Sequence, residues 1–207
     1  MNLPNKITIS RIVLSIIVLI LMAIPYYEID VTWPTYLVGG KVAISLKYII
    51  CAVLFIIASL TDSLDGYIAR KYDMVTDFGK VMDAIADKIL VNGLLIILAV
   101  DGFIPVIIPV IIITRDTFVD SIKMVASKKS GAVGASLLGK LKTICMMCGI
   151  SLMLIYNLPF ELINLKVADA LIIIATFLSV VSGIEYYMKN KNAFKEESEH
   201  KPIERRI

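Results

Sequence analysis

Four aspartates at fixed spacing lie within the most hydrophobic part of the chain. Asp62 and Asp65 end one apolar stretch, and Asp83 and Asp87 begin the next. A carboxylate at the centre of a membrane helix costs roughly 2.5 to 3.5 kcal/mol on insertion scales, so cations must offset four of them. Carboxylates without a nearby histidine or thiol favour hard cations such as Mg²⁺ or Mn²⁺. The pattern therefore predicts a pair of divalent ions, the arrangement that assists phosphoryl transfer.

The spacing of these acids also predicts how helices position them. Residues three or four positions apart share one face of an α-helix, so Asp62 lies beside Asp65, and Asp83 beside Asp87. The short polar connection at 70–78 favours an antiparallel pairing of the two helices that carry them. Both carboxylate pairs would then point to one place. Asp87, the last of the four, is a candidate base for an attacking hydroxyl.

The composition is that of an integral membrane protein. Of the 207 residues, 58% are hydrophobic and only 19% are charged, against about 25% charged in soluble domains. Six apolar stretches are long enough for membrane helices. They cover residues 8–27, 44–70, 79–100, 104–127, 137–157 and 166–190. We expect an all-α, polytopic membrane protein with six transmembrane helices in one domain, 1–190, followed by a polar cytoplasmic tail, 191–207.

The placement of basic residues predicts the orientation. With a cytoplasmic N-terminus, the outside loops hold only Lys41, Lys47 and Lys166, and the other basic residues lie inside. The positive-inside rule therefore predicts cytoplasmic N- and C-termini. It places the aspartates at the cytosolic ends of the second and third helices. We expect a multi-pass protein of the cytoplasmic membrane whose active site faces the cytosol and which has no nucleic-acid partner.

Small and basic residues accompany the acids. Gly66 and Gly79 leave helix surface open, so that a large ligand can approach the backbone closely. Helix packing alone explains most glycines in membrane helices, so neither glycine indicates a site by itself. Arg70, one turn after Gly66, can pair with a phosphate through two hydrogen bonds, although such an arginine also serves as a headgroup anchor.

The combined pattern is specific. It resembles the signature of the CDP-alcohol phosphatidyltransferase family and matches it at Asp62, Asp65, Gly66, Ala69, Arg70, Gly79, Asp83 and Asp87. The resemblance implies a six-helix membrane enzyme, usually a homodimer, that moves a phosphatidyl group from CDP-diacylglycerol to an alcohol and releases CMP. It also implies that the four aspartates ligate two divalent ions, Mg²⁺ or Mn²⁺, with Asp87 as the catalytic base.

The donor site is implied by the same resemblance. Near the N-terminus, Pro4, Asn5, Thr8 and Arg11 form P-N-x-x-T-x-x-R, which resembles the start of the family branch that uses glycerol 3-phosphate. In that branch the Asn and Thr lie near the nucleotide; on physical grounds alone, Asn5 could equally be a helix cap. The residues implied to bind CDP-diacylglycerol are Asn5, Thr8, Asp62, Gly66, Ala69, Arg70 and Gly79.

Further ionisable residues suggest the site of the acceptor alcohol. Arg115 and Asp116 lie inside the apolar fourth helix, where ionisable residues are functional candidates. Because sequence neighbours point to different helix faces, we expect these two not to neutralise each other. The basic residues predicted to bind the phosphate of sn-glycerol 3-phosphate are Arg115, Lys123, Lys140 and Lys142. Compared with the glycerophosphate branch, the chain differs at Ala84, Asp116 and Lys123.

Other functions fit parts of the pattern. Within the family, the acceptor could instead be phosphatidylglycerol, serine or inositol phosphate. A divalent-cation transporter could use the aspartates as a permeation site, but it would give Gly66, Ala69 and Arg70 no role. An inactive membrane scaffold would have no need for all four acids. The favoured interpretation is a transferase of phospholipid biosynthesis whose partners are CDP-diacylglycerol, glycerol 3-phosphate and the lipid bilayer.

Overall fold

The described part of the chain is a bundle of six α-helices. The computed structural model describes residues 3–72, 77–130 and 136–195. The helices are α1 Leu3–Ala23, α2 Leu46–Lys71, α3 Asp77–Val100, α4 Ile107–Ser130, α5 Leu137–Leu154 and α6 Val167–Lys195. The prediction of six helices is confirmed. The first five residues of the predicted tail continue α6, and residues 196–207 lie outside the described part.

A small β-hairpin lies between α1 and α2 and was not predicted. Strand β1, Thr35–Val38, pairs antiparallel with β2, Val42–Ser45. Gly39 and Gly40 turn the chain with φ angles of +60° and +68°, a region that glycine adopts without steric cost. The signal was present in the sequence, since two short segments rich in aromatic and branched residues flank a Gly-Gly pair.

Each of the first three helices buries one stripe with helical spacing. In α2 the stripe is Cys51, Phe55 and Ala58; in α3 it is Leu90, Leu94 and Leu98. The aspartates extend these stripes, because Asp62 follows Ala58 by four positions and Asp87 precedes Leu90 by three. The same faces that form the core therefore also direct the carboxylates inward.

The first helix connects the two helices that carry the aspartates. Helix α1 packs against both α2 and α3, whereas α2 and α3 make no extensive direct contact among the described residues. Helices α5 and α6 pack together, α4 packs on α6, and α2 also contacts α5. The expected direct pairing of α2 with α3 is therefore wrong. The carboxylates of Asp62 on α2 and Asp83 on α3 contact Arg11 of α1 instead.

The outer surface of the bundle is strongly apolar. On α1 alone, Val13, Ile17 and Ile20 each expose half or more of their surface. Two described helices, Leu137–Leu154 and Val167–Asn190, have the length and composition needed to cross a bilayer, and Ile7–Ala23 is a shorter apolar helix. Large exposed apolar surfaces are rare on soluble monomers and mark contact with lipid or with a partner.

Candidate functional site

Arg11 of α1 links the two aspartate-bearing helices. Its Nη1 contacts Oδ1 of Asp62 on α2, and its Nη2 donates to Oδ1 of Asp83 on α3. Arg11 is only 3% exposed, and the hydroxyl of Ser15, one turn later, donates to the Arg11 carbonyl. Two carboxylates far apart in sequence therefore converge on one buried cation. The sequence analysis assigned no site role to Arg11.

Besides Asp62, three of the residues implied to bind the donor lie within one helical turn of Arg11, Asp62 or Asp83. Thr8 is buried one turn before Arg11 on the same face of α1. Gly66 lies one turn after Asp62 on α2, and Gly79 lies one turn before Asp83 on α3; both are half-buried. The donor-site residues on α1, α2 and α3 therefore border the carboxylates. The polar spacing of Thr8, Arg11 and Ser15 was the sequence signal for this buried face.

Four predicted site residues have side chains outside the described part. They are the donor-site residues Asn5, Ala69 and Arg70, and the predicted metal ligand Asp65. Within the described residues, no three acidic, histidine or cysteine side chains gather as a ready metal cage. Of the four aspartates predicted to form one cluster, Asp62, Asp83 and Asp87 have described side chains, and two of these, Asp62 and Asp83, meet at Arg11.

Asp87 lies between two groups of charges. It is half-buried and close enough to interact electrostatically with Arg11 and Asp83 on one side and with Lys142 and Asp116 on the other. The next residue, Lys88, forms an ion pair with Asp120 of α4, in which both side chains are about 40% exposed. Asp87 therefore lies between the cluster around Arg11 on α1, α2 and α3 and the charged residues of α4 and α5.

Asp116 is the centre of the second charged group. The Lys142 ammonium donates to both of its carboxylate oxygens at 2.8 Å, and Arg115 Nη1 donates to Oδ1 at 2.8 Å. The expectation that Arg115 and Asp116 do not neutralise each other is wrong. The arginine side chain is long enough to fold back along α4, so the guanidinium reaches a carboxylate whose Cα is its direct neighbour.

The Arg115 guanidinium is also bound to α6. Its Nε donates to the Ser179 carbonyl at 2.8 Å, and its Nη2 donates to the Ser182 hydroxyl at 2.6 Å. Gly183 allows this approach, because a Cβ built there would lie 3.1 Å from Arg115 Cγ. All three guanidinium nitrogens therefore donate to protein groups, which makes Arg115 a tie between α4 and α6.

A Gly183→Ala variant tests how tightly this tie is packed. Arg115 is held by three hydrogen bonds and cannot easily move away from the added methyl group. We expect a loss of about 1 to 3 kcal/mol, the usual cost of overpacking, seen as a lower melting temperature in detergent micelles. Ile184→Ala, at the exposed neighbouring position, is the control and should melt within about 2 °C of the wild type. An unchanged Gly183→Ala melting temperature would show that Arg115 adjusts freely.

A small polar cavity of about 30 Å³ lies between α3, α4 and α5. Its lining includes Asp87, Lys88, Asn92, Asp116 and Lys142. A cavity of this volume has room for about two water molecules. It brings an ammonium and a carboxylate of the second group to the side of Asp87. Lys88 and Asn92 were not predicted to lie at a site. The spacing of residues within one helix does not show that α3 packs near α5.

Two of the predicted acceptor-site lysines lie apart from this cavity lining. The Lys123 ammonium lies 5.3 Å from the centre of the Tyr186 ring and within electrostatic range of Arg115 and Lys142. Lys140 is exposed on α5. The structure therefore brings Arg115, Lys123 and Lys142 into one basic region and leaves Lys140 at the surface.

The donor atoms of the first cluster fit a hard divalent cation. Asp62 and Asp83 point their Oδ1 atoms at one guanidinium, whose two Nη atoms are only about 2.3 Å apart. Oxygens that converge on so small a group are also within reach of a common ion. Carboxylate oxygens are the ligands that Mg²⁺ and Mn²⁺ prefer. Asp62 and Asp83 are the described pair that would hold such an ion, and the predicted ligand Asp87 follows Asp83 by one turn of α3.

The comparison with protein families agrees with this site. The profile of the family described as CDP-alcohol phosphatidyltransferase matches residues 1–181. The chain belongs to the CDP-alcohol phosphatidyltransferase family. The family resemblance read from the aspartate signature is thereby confirmed, and the matched region contains every candidate site residue on α1 to α5.

Individual relatives are similar over nearly their whole length. The CDP-diacylglycerol–glycerol-3-phosphate 3-phosphatidyltransferase of Bacillus subtilis is 43% identical over 194 residues, covering 94% of this chain and 97% of the relative. The protein of the same name in Rickettsia typhi is 34% identical, covering 93% and 99%. A probable phosphatidylglycerophosphate synthase of Mycobacterium tuberculosis is 32% identical, covering 89% and 79%. This member of the CDP-alcohol phosphatidyltransferase family thus resembles two enzymes whose names specify glycerol 3-phosphate and one that is named for phosphatidylglycerophosphate.

Proposed function

We propose that this chain transfers the phosphatidyl group of CDP-diacylglycerol to sn-glycerol 3-phosphate, giving phosphatidylglycerol phosphate and CMP. The similarity to the B. subtilis transferase, 43% identity over 94% of this chain, carries the proposal. The convergence of Asp62 and Asp83 on one cation, with Asp87 beside it, supports the reaction class. The basic side chains next to Asp87 support an acceptor that carries a phosphate.

The proposed reaction breaks the phosphoanhydride bond of the donor and forms a phosphoester bond to the acceptor. The hydroxyl on carbon 1 of glycerol 3-phosphate attacks the lipid-linked β-phosphorus of the donor, and the bond to the oxygen of CMP breaks. Asp87 takes the hydroxyl proton, and CMP leaves with its phosphate negatively charged. A positioned general base typically contributes about 10² to 10⁴ in rate. The position of Asp87 between the carboxylate cluster and Lys142 supports this role.

Divalent ions complete the proposed site. The family is generally metal-dependent. Asp62, Asp65, Asp83 and Asp87 are proposed to hold two ions, Mg²⁺ or Mn²⁺. When bound, such ions offset negative charge on the nonbridging and leaving oxygens of the phosphoryl group. Asn5, Thr8, Gly66, Ala69, Arg70 and Gly79 are proposed to line the nucleotide part of the donor site.

Lys142 is the proposed main contact of the acceptor phosphate. It lies in the cavity lining beside Asp87, and its ammonium has a third N–H beyond the two that face Asp116. Arg115, Lys123 and Lys140 complete the proposed phosphate-binding group. Three of the five Arg115 N–H groups donate to protein groups, so the guanidinium is held in place and supplies positive charge beside the proposed phosphate.

We also propose that the bundle spans the cytoplasmic membrane six times, with both termini and the active site on the cytosolic side. The apolar outer surface, the two helices long enough to cross a bilayer and the lipid donor support this arrangement. The acyl chains of the donor would remain in the bilayer while its headgroup reaches the aspartates. A homodimer is part of the proposal and is tested by the mass of the purified protein in micelles.

The activity is tested with purified protein, CDP-diacylglycerol, Mg²⁺ and four acceptors supplied together. The acceptors are glycerol 3-phosphate, phosphatidylglycerol, serine and inositol phosphate, and the lipid products are identified by mass spectrometry. We expect CMP release with phosphatidylglycerol phosphate as the main product. No CMP release would contradict the transferase activity. Release with a different main product would contradict the acceptor alone.

A Lys142→Gln variant tests the acceptor contact. Loss of a charged hydrogen bond to a phosphate costs about 1.5 to 3 kcal/mol, so we expect the KM for glycerol 3-phosphate to rise about 10- to 100-fold. The KM for CDP-diacylglycerol should change less than about threefold. Initial rates at varied concentrations of each substrate measure both constants. Lys189→Gln, an exposed lysine of α6, is the control. A rise in the donor KM instead of the acceptor KM would assign Lys142 to the other substrate.

A further inference from the structure

Arg11 contacts the same oxygens that are proposed to bind the divalent ions. Its guanidinium lies against Oδ1 of both Asp62 and Asp83, in a position that is 3% exposed. The second group of charges differs, because Asp116 is one carboxylate held by two cations, Arg115 and Lys142. At the first cluster, as far as its side chains are described, two carboxylates share the single cation Arg11. The Arg11 guanidinium therefore offsets part of the negative charge that Asp62 and Asp83 carry together.

A guanidinium and a divalent ion repel each other when they share these carboxylates. Repulsion between like charges is weakly screened where protein excludes water, as it does around Arg11. An ion that binds Asp62 and Asp83 must therefore either tolerate Arg11 or displace it. An anionic group that bound the guanidinium away from Asp62 and Asp83 would remove this repulsion between the guanidinium and the divalent ion.

The proposed donor supplies such a group. Its pyrophosphate is anionic, and a guanidinium can bind phosphate oxygens through two parallel hydrogen bonds. Thr8, which the family resemblance places near the nucleotide, lies one turn from Arg11 on the same buried face of α1. The arginine is therefore next to both the carboxylates and the region proposed for the donor headgroup.

We propose that Arg11 is an internal counter-cation that competes with divalent ions for Asp62 and Asp83, and that the donor pyrophosphate relieves this competition by binding the guanidinium. This inference rests on the proposed function. Divalent ion and donor then bind with positive cooperativity, and each strengthens the binding of the other by the same factor. Arg11 thereby disfavours ion binding without the donor.

The experiment measures Mn²⁺ binding by electron paramagnetic resonance on purified protein in micelles, with and without CDP. CDP is the soluble nucleotide part of the donor and contains its pyrophosphate; the Mn²⁺–CDP complex formed in buffer is measured separately and subtracted. For the wild type we expect CDP to lower the Kd for Mn²⁺ at least tenfold. For Arg11→Gln we expect at least tenfold tighter Mn²⁺ binding without CDP, and a CDP effect below threefold.

Two further variants control the result. Arg11→Lys keeps the charge but not the planar fork, so its Mn²⁺ affinity should lie between those of the wild type and Arg11→Gln. Lys189→Gln removes the charge of a lysine that pairs with Glu185 on the surface of α6, and it should behave as the wild type. All measurements use the fraction that elutes as a single folded species. If Arg11→Gln yields none, the wild type and Arg11→Lys alone decide the outcome.

The results separate this inference from the proposed function. Mn²⁺ binding to Arg11→Gln that equals or is weaker than wild-type binding would overturn the competition, as would a wild type in which CDP leaves Mn²⁺ affinity unchanged. CMP release by the wild type is measured in parallel with CDP-diacylglycerol and glycerol 3-phosphate. Release of CMP together with either contrary binding result retains the transferase and rejects the role of Arg11. The expected binding results without CMP release would reject the transferase alone.

Discussion

Replacement of Asp87 by asparagine is expected to lower kcat for CMP release about 10³-fold or more. The amide cannot accept the proton of the attacking hydroxyl, and general bases contribute about 10² to 10⁴ in rate. It also removes one of the charges proposed to hold the divalent ions. The measurement is CMP release at saturating CDP-diacylglycerol, glycerol 3-phosphate and Mg²⁺. The fold should be retained. Among the described residues, no cation forms an ion pair with Asp87, so the variant leaves no such partner without its counter-charge.

The chain offers a matched control for this variant. Asp169 is also a half-buried aspartate, but it lies in the first turn of α6, at the opposite end of the bundle. Asp169→Asn should release CMP within about twofold of the wild-type rate, since surface and loop-end substitutions away from the site are usually mild. If Asp87→Asn kept more than a tenth of the wild-type kcat, another group would have to be the base.

The helices could be predicted because each of them corresponds to one continuous apolar stretch of the sequence. Long apolar stretches predict helices in a membrane protein, and the six predicted ranges differ from the observed helices by at most five residues at either end. The placement of the aspartates on inward faces also followed from local spacing, since Asp62 and Asp87 continue the buried stripes of their helices. Such features depend only on residues a few positions apart.

The partners of the charged residues could not be predicted in the same way. Arg11 meets Asp83 across 72 positions and Lys142 meets Asp116 across 26, so these contacts depend on how whole helices pack. The connection between α2 and α3 indicated a direct pairing, but α1 packs against both helices and supplies the cation. The pairing of Arg115 with Asp116 was missed for another reason. Helical geometry fixes where Cβ points, but a long arginine side chain can turn back over its own helix.

The proposed location in a bilayer would account for the grouping of these charges. In a soluble bundle, an isolated carboxylate can face water; in hydrocarbon it must find a partner within the protein. Each of the helices α1 to α5 contributes at least one side chain to the two charged groups centred on Arg11 and on Asp116. In the proposed membrane arrangement, the headgroup of the donor would reach these two charged groups while its acyl chains remain in lipid.

The largest effect on stability is expected for Asp116→Asn. Asp116 neutralises two largely buried cations, Arg115 and Lys142, whose side chains are 14% and 11% exposed. Removing one partner of a buried ion pair costs about 3 to 5 kcal/mol, because the remaining charge is left uncompensated. We expect a fall in melting temperature on the order of 10 °C, measured in detergent micelles.

Asp120 provides the comparison on the same helix. It lies one turn after Asp116 and pairs with Lys88, but both side chains are about 40% exposed. Solvent screens such pairs, which contribute about 0 to 1 kcal/mol, so Asp120→Asn should shift the melting temperature by only about 3 °C or less. Equal shifts for the two variants would mean that burial does not distinguish the pairs.

A double variant identifies the source of the loss. If uncompensated charge destabilises Asp116→Asn, removal of one of the two cations should restore part of the stability. Asp116→Asn with Lys142→Gln should then melt higher than Asp116→Asn alone, with a coupling of about 0.5 to 3 kcal/mol between the two positions. Additive effects would indicate lost packing instead of lost charge compensation. Arg115 remains in the double variant, and its bonds to Ser179 and Ser182 explain why the restoration should be partial.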